Sequence, residues 1–436
     1  MRQRMRPNGG RRTVFGIQAA GRCGINTEYA GKGRWAHADI SAKSENTATR
    51  ETLYLRPFAL ILSSLVLFVS AKLTSADVIS ITRGGTYTGT FEANGLGQPA
   101  IRIDTADPVI LKDCTVTGRG PFIVVDTEHA NLTVIGVHAT GRLPAAVGDD
   151  VGRFLTAQNP DSLEIAECDL NHTEGIYVLG FGTPLSGKPT ISIHDNRVQD
   201  IDGRVRGSAG VFKRQAKLVQ FVQLDKVRHV SGIEIAWNQV INDPGESAVE
   251  DNISIYKSSG VPDLPIRIHD NYIRGAYPVD PAAAGYSGGG IMLGDGAEAN
   301  PDDGPAYVEA FDNQVLDTTN YGIAISAGHD ITFHDNRIIS SGLLPGRVMP
   351  RSQNVGAYIW DANKKELPRA NFHDNGGRGN VVGWNRGIGR NDWWMPDATF
   401  WESNVRKSGP ISPQTVIDEW KRWEGKLAGH RLAMQP

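Results

Sequence analysis

Two lysines stand at equivalent points of a recurring strand, in Val222-Gln-Leu-Asp225-Lys226 and in Ile253-Ser-Ile-Tyr256-Lys257. Aligning the six strands of this kind puts Leu179, Asp225, Tyr256, Gly294, Ser326 and Trp360 in one column. Gly180, Lys226, Lys257, Asp295, Ala327 and Asp361 fall in the next. A lysine that is partly desolvated and close to a second cation loses its proton more readily, and the neutral amine is a base. Lys257, with Lys226, Tyr256, Asp295 and the nearby His229, is therefore a candidate set for abstracting the proton alpha to a carboxylate, the first step of a β-elimination. The ordinary alternative is a turn lysine paired with Asp295. His329, Trp360 and Asp361 lie in the corresponding turns further on and are candidates for substrate binding.

The longest insertions fall beside these strands, and long loops on a rigid scaffold commonly carry binding and catalysis. Phe212–Lys217 brings Lys213, Arg214 and Lys217, and the stretch Tyr277–Gly290 brings Asp280 and Tyr286. Pro244–Asp251 brings Glu246, Glu250 and Asp251, oxygen ligands of the kind Ca²⁺ takes. The same carboxylates, with Asp295 or Asp361, would equally suit a glycoside hydrolase, which needs two carboxyl groups at a fixed separation.

The elements that must position these residues are repeats. Ile191-Ser-Ile-His-Asp-Asn196 returns as Ile266-Arg-Ile-His-Asp-Asn271, Val308-Glu-Ala-Phe-Asp-Asn313, Ile331-Thr-Phe-His-Asp-Asn336 and Ala370-Asn-Phe-His-Asp-Asn375. Looser copies end on Asn238, Cys168 and Cys114. The terminal Asn residues are spaced by 42 (196 to 238), 33 (238 to 271), 42 (271 to 313), 23 (313 to 336) and 39 (336 to 375). Between copies lies a second short strand, often opened by Gly, with hardly a helical stretch. A unit of this size cannot bury its own apolar face and must stack on its neighbours. Asn at a repeated corner tolerates the left-handed conformation and offers an amide that can hydrogen-bond along the stack. The His-Asp of His194, His269, His334 and His373 recurs with the corner, which makes it a surface ladder rather than a metal site.

These repeats resemble the right-handed parallel β-helix of pectate-lyase-like proteins over roughly residues 78–390. The resemblance implies an all-β, single-stranded solenoid, of about 13 coils at most if each takes 23 residues or more. Glu250-Asp-Asn-Ile-Ser-Ile-Tyr-Lys-Ser-Ser259 is similar to the strand that carries the catalytic lysine in the chondroitinase B/alginate lyase family. That likeness implies a lysine base at Lys257 and a carboxylate-held metal nearby. Arg267, His269 and Arg274 are the nearest counterparts of the Arg-His pair that follows in that family, and none of them matches it clearly.

The ends of the chain differ from its middle. Residues 1–50 carry ten Lys/Arg against three acidic residues, without apolar periodicity, and are expected to be a basic leader or to precede the true start. Phe58–Ala71 is an apolar run too short to span a bilayer, which takes about 20 residues. With the small residues that follow, it places a signal peptide at 51–76 and directs the protein to a secreted or periplasmic location. Without residues 1–76 the chain keeps 33 basic and 44 acidic residues, a net charge near −11, which disfavours nucleic acid and anionic membranes as partners. Cys114 and Cys168 occupy the repeated Asn position and are expected to be buried and unbonded. The solenoid is assigned to 77–395 and a Trp-rich C-terminal cap to 396–436. That cap contains a helix at 413–428, expected to cover the open end of the solenoid, with Ser412 as N-cap, Pro413 at its first turn and Val416, Ile417, Trp420 and Leu427 on the packing face.

The expected function is a secreted, monomeric, polysaccharide-active enzyme without an integral membrane span. A lyase on a uronate-containing glycan, with Ca²⁺ as its candidate cofactor, leads the readings. A glycoside hydrolase or uronate C5-epimerase in the same groove, and a non-catalytic carbohydrate-binding or surface protein, stand as alternatives.

Overall fold

The computed structural model describes residues 71–433 apart from 76–77, 96, 183–189, 283–286, 369–370 and 388. The basic leader, most of the expected signal peptide and Tyr286 lie outside the described residues. Ala71–Ser75 forms a strand that pairs in parallel with Tyr87–Phe91.

The described chain is β-rich, with long parallel sheets and one C-terminal helix, an arrangement consistent with a parallel β-helix. An eleven-stranded sheet takes one strand from each repeat, from Ile79–Ile81 through Val222–Asp225, Asp251–Tyr256 and Gly289–Asp295 to Trp393–Trp394. A 23-stranded sheet is built from the other strands. It contains two parallel ladders, one through strands such as Ile191–His194 and Ile233–Ala236, the other through Arg197–Gln199 and Gln239–Ile241. Alternation along each strand decides what faces in. Ile176, Val222, Ile253, Ile291 and Ile323 align in register across the first sheet, Ile191, Ile233, Ile266, Val308 and Ile331 across the second, and all are at most 1% exposed. Each such side chain contributes about 1.5–3 kcal/mol on burial.

The corner between the two ladders follows the repeated motif closely. Asp195, Trp237, Asp270, Asp312, Asp335, Gly379 and Ser403 have positive φ, and an Asn follows each of them. The left-handed residue is thus the one before the Asn rather than the Asn itself, whose side chain turns inward. Asn196, Asn238, Asn271, Asn313 and Asn336 pass an Nδ2–H to the Oδ1 of the next at 2.9–3.0 Å. The ladder continues into Asn380 and then Asn404. Asn375, expected to be the next member, instead accepts from the Ile331 N–H and donates to the Gly328 carbonyl. The copy ending at residue 375 therefore belongs to a different corner. Cys114 and Cys168 are buried and free at the ladder position, as expected, and the Cys168 N–H donates to Asn196 Oδ1. Of the expected ladder, His194, His269 and His334 share this corner, with His269 buried, whereas His373 stacks on His329 at another. In the first three, ring nitrogen Nδ1 meets the following Asp, and Nε2 faces a Glu of the neighbouring repeat.

The C-terminal helix α1 (Pro413–Ala433) runs through Gly429 and past the expected end at residue 428. It lies along the flank of the 23-stranded sheet rather than across an open end. Val416, Trp423, Trp420 and Leu427 pack on Tyr272, Leu316, Ile339 and Trp237, whereas Ile417 is half exposed. Polar contacts follow the same line: Arg337 Nη2 to Glu419 at 2.5 Å, Lys426 to Asp270 at 2.6 Å, and His430 to Asp195 at 3.0 Å with its ring stacked on Trp237. A helix of 21 residues is about 31 Å long and so spans about six strands at ~4.8 Å each. No described helix is long and apolar enough to cross a membrane.

The Asn ladder is buried, so breaking one member leaves groups on both sides unpaired. Asn271→Ala is expected to lower unfolding stability by about 2–5 kcal/mol. His334→Ala, on the solvent side of the same corner, should cost less than about 1 kcal/mol. Urea denaturation of the two variants makes the comparison.

Candidate functional site

The outer face of the eleven-stranded sheet carries three columns of side chains. Glu174, Gln220, Asp251, Gly289 and Tyr321 stand where the strands enter, and Tyr177, Gln223, Ser254, Met292, Ala324 and Tyr358 line the middle. Leu179, Asp225, Tyr256 and Asp295 stand where the strands leave. The register shifts between Ser254 and Tyr256, and again between Met292 and Gly294, and the first shift puts Asp295 opposite Tyr256. Asp295 therefore shares a column with Asp225 and Tyr256, one position away from where uninterrupted alternation places it. The position after the strand is filled by Gly180, Lys226, Lys257 and Gly296, all with positive φ. Gly180, Lys226 and Lys257 each donate a backbone N–H to the next repeat's column residue: Asp225, Tyr256 and Asp295.

The expected base is tied down. Lys257 Nζ lies 2.9 Å from Glu298 and 5.4 Å from the Tyr256 ring centroid. Burial alone would lower its pKa, but the Glu298 carboxylate and Tyr256 outweigh burial and hold it above the usual lysine value. Glu298 and Asp303 also receive Arg228, so these cations anchor the connection after Asp295. The basic residues do not gather in one cluster. Lys217 pairs with Asp150 and Glu174 at the entry edge, Lys226 and Lys257 stand at the exit edge, and Lys213, Arg214 and Lys226 are exposed.

The other expected residues also find separate settings. His229 is exposed, with its backbone N–H on Ser259. Asp361 is a buried turn residue that caps the Asn363 N–H. Trp360 leans on Trp394 with ring centroids 5.6 Å apart. His329 stacks on His373. Of the three residues expected to hold Ca²⁺, Glu246 is exposed, Glu250 accepts from Gln220, and Asp251, next to Glu250, accepts from Tyr321.

The structure brings together three carboxyl groups with distinct environments. Burial, together with the charge of Asp295, raises the pKa of Glu250 to about 7, against the opposing hydrogen bond from Gln220 Nε2 at 3.0 Å. Burial also raises Asp295, although the Gly296 N–H and Ser326 hydroxyl stabilise its charge. Burial, with the charge of Glu250, pushes Asp251 well above the carboxylate range. Asp225 accepts the Tyr177 hydroxyl on Oδ2 at 2.6 Å, while its Oδ1 has no partner among the described residues. Gln220 Oε1 and Arg153 Nη1 are likewise buried and unpaired, and the Arg153 guanidinium sits 5.1 Å over the Tyr177 ring. Buried polar atoms are nearly always satisfied, so the two such atoms beside Tyr177, with Gln220 Oε1 at the strand entry, mark a face suited to a polar ligand.

Sequence reasoning missed Tyr177, Gln220, Arg153 and Tyr321. Tyr177 sits at the outward alternate position of a strand already recognised, so strict alternation identifies it, whereas Gln220 stands at a strand entry. Arg153 and Tyr321 lie at strand entries, where the turn breaks alternation and no sequence signal marks the direction of the side chain.

Gly289 shows how closely the face is fitted. A Cβ there would lie 2.1 Å from Asp251 Oδ1 and 2.4 Å from the Tyr321 ring, because the Tyr321 ring crosses this strand to reach Asp251. Gly289→Ala is therefore expected to cost about 2–4 kcal/mol in thermal unfolding. The raised pKa of Glu250 gives a second expectation. Its folded value lies above the ordinary glutamate value of 4.5, so the stabilisation is fully present below pH 4.5 and is lost as pH rises to about 7. Glu250→Gln should thus match the parent at pH 4 and exceed it at pH 8 by about 1–3 kcal/mol, since each pKa unit is worth ~1.4 kcal/mol. Urea titrations at the two pH values test this.

No protein-family model matches the chain, and neither the curated proteins nor the solved structures give a match.

Proposed function

We propose that the chain is a right-handed parallel β-helix of the pectate-lyase-like kind, exported from the cell. It acts on a polysaccharide laid along the outer face of the eleven-stranded sheet and cleaves it by hydrolysis with a pair of carboxyl groups. The observation that carries this reading is the unequal environment of Glu250 and Asp225. With its pKa raised to about 7, Glu250 is protonated in about half of the molecules at neutral pH and is fitted to protonate a leaving oxygen. Asp225 has one oxygen held by Tyr177 and the other buried without a partner among the described residues, and it is the second carboxyl group proposed for the pair. Glycosidic hydrolysis takes one carboxyl group that holds a proton and a second at a fixed separation from it.

β-Elimination by Lys257 is the weaker reading, because its ammonium is engaged by Glu298 and held protonated. One observation speaks for an acidic sugar nonetheless. The unpaired Arg153 Nη1 beside Tyr177 would suit a uronate carboxylate. The panel of substrates therefore includes both neutral and uronate glycans.

Release of reducing ends from this panel is the test. Glu250→Gln and Asp225→Asn should each reduce kcat by about 10²–10⁴-fold, and Lys257→Ala should keep activity within about tenfold of the parent. The parent's rate should fall as pH rises through about 7, where Glu250 loses its proton. Loss of activity in Lys257→Ala, with Glu250→Gln active and an ultraviolet-absorbing unsaturated product, would establish elimination instead.

A further inference from the structure

We propose that the corner formed by His329, Asp330 and His373 binds a late first-row divalent cation, zinc in the first instance. This goes beyond the polysaccharide reading and does not depend on it.

The corner is built by the repeat itself. Ala306 pairs with His329 across the sheet, and the Asp330 N–H donates to the His373 carbonyl one repeat on. Tyr307, Asp330 and Asp374 share the same left-handed backbone, with φ of 53°, 54° and 51°. His329 and His373 are therefore the same position in successive repeats, and their rings stack with centroids 4.8 Å apart and planes 11° from parallel. The Tyr307 ring stands edge-on to His329 at 5.7 Å, and His329 is only 7% exposed.

What sets this pair apart is the second ring nitrogen. His194, His269 and His334 also hold Nδ1 on the following Asp, but their Nε2 atoms face Glu164, Glu234 and Glu309 at 3.8, 2.8 and 3.0 Å. His329 Nδ1 meets Asp330 Oδ2 at 2.7 Å and His373 Nδ1 meets Asp374 Oδ2 at 2.8 Å. Neither Nε2 has a carboxylate partner among the described residues. A carboxylate on Nδ1 fixes the tautomer that leaves Nε2 as a lone-pair donor, and it raises that nitrogen's basicity, as carboxylates do behind metal-bound histidines. Two imidazoles, with Asp330 and Asp374 behind them and water to complete the coordination, suit zinc, copper or nickel rather than calcium.

One nitrogen or oxygen atom from each of His329, Asp330 and His373 lies within 4.8 Å of the other two. A tetrahedral zinc with bonds near 2.0–2.1 Å needs its donors about 3.4 Å apart. The partly exposed His373 ring, with 46% of its side chain accessible, can close that gap by rotating. A cation there would pin the start of the Gly376–Arg378 strand, and the long connection before it, to the preceding repeat.

Chelator-treated full-length protein is titrated with ZnCl₂, with bound metal measured after equilibrium dialysis at pH 7.5 and pH 5. One zinc per chain is expected at pH 7.5 and little at pH 5, where protons compete for the imidazoles. His373→Gln, at an exposed position, should fold and bind at least about tenfold more weakly. His334→Gln, whose ring already serves Glu309, should bind like the parent. Zinc should also raise the Tm of the parent and of His334→Gln but not that of His373→Gln. Absence of stoichiometric uptake would overturn the proposal, as would uptake or a Tm rise unchanged by His373→Gln.

Discussion

Every strand of this chain depends on the one stacked beside it. Parallel pairing satisfies the backbone of each repeat only through its neighbours, so register errors cannot be confined to one repeat. The Asn ladder sets that register at one corner. Each buried amide donates to the next and to a carbonyl of the previous repeat, while its oxygen receives a neighbouring backbone N–H. An amide does this because it carries both donors and an acceptor on a short stem. Where Cys168 takes the position, the thiol faces only carbonyls at 3.2 and 3.7 Å, and the side-chain ladder begins at Asn196.

This regularity frees the outer face for chemistry. With core and corners carrying the fold, the eleven-stranded sheet can hold buried acids and unpaired polar atoms that would be costly in a smaller protein. The register shift that moves Asp295 beside Tyr256, and the glycine that lets Tyr321 pass over to Asp251, are local departures from the repeat. Both lie on the same face and within neighbouring repeats. β-Bulges commonly re-aim side chains next to active sites, and this pair of departures is of that kind.

Helix α1 closes the opposite flank by a different logic. Its pairings to Arg337, Gln314, Asp270 and Asp195 come from four separate repeats, so one helix reads the spacing of the stack at several points. Tyr272 and Trp423, both wholly buried, supply the apolar part of this contact. The polar ends supply its direction, because a shift by one repeat would separate every charge from its partner.

The sequence by itself determined the repeat, the inward alternation of Ile and Val, the Asn corner, the buried unbonded cysteines and the start of the C-terminal helix. All of these follow from local chemistry: side-chain period, left-handed tolerance, amide pairing and capping. Tertiary structure alone decided where Asp295 stands, because a bulge of one residue leaves no mark on composition. It also engaged Lys257 with Glu298, 41 residues further on, and carried α1 along a flank instead of an end. The His-Asp motif shows the boundary most clearly. His334 and His373 read alike along the chain, yet one lies against Glu309 and the other against His329. Which neighbour a side chain meets depends on which corner of the stack it occupies, and loops of unequal length hide that corner from any reading of spacing alone.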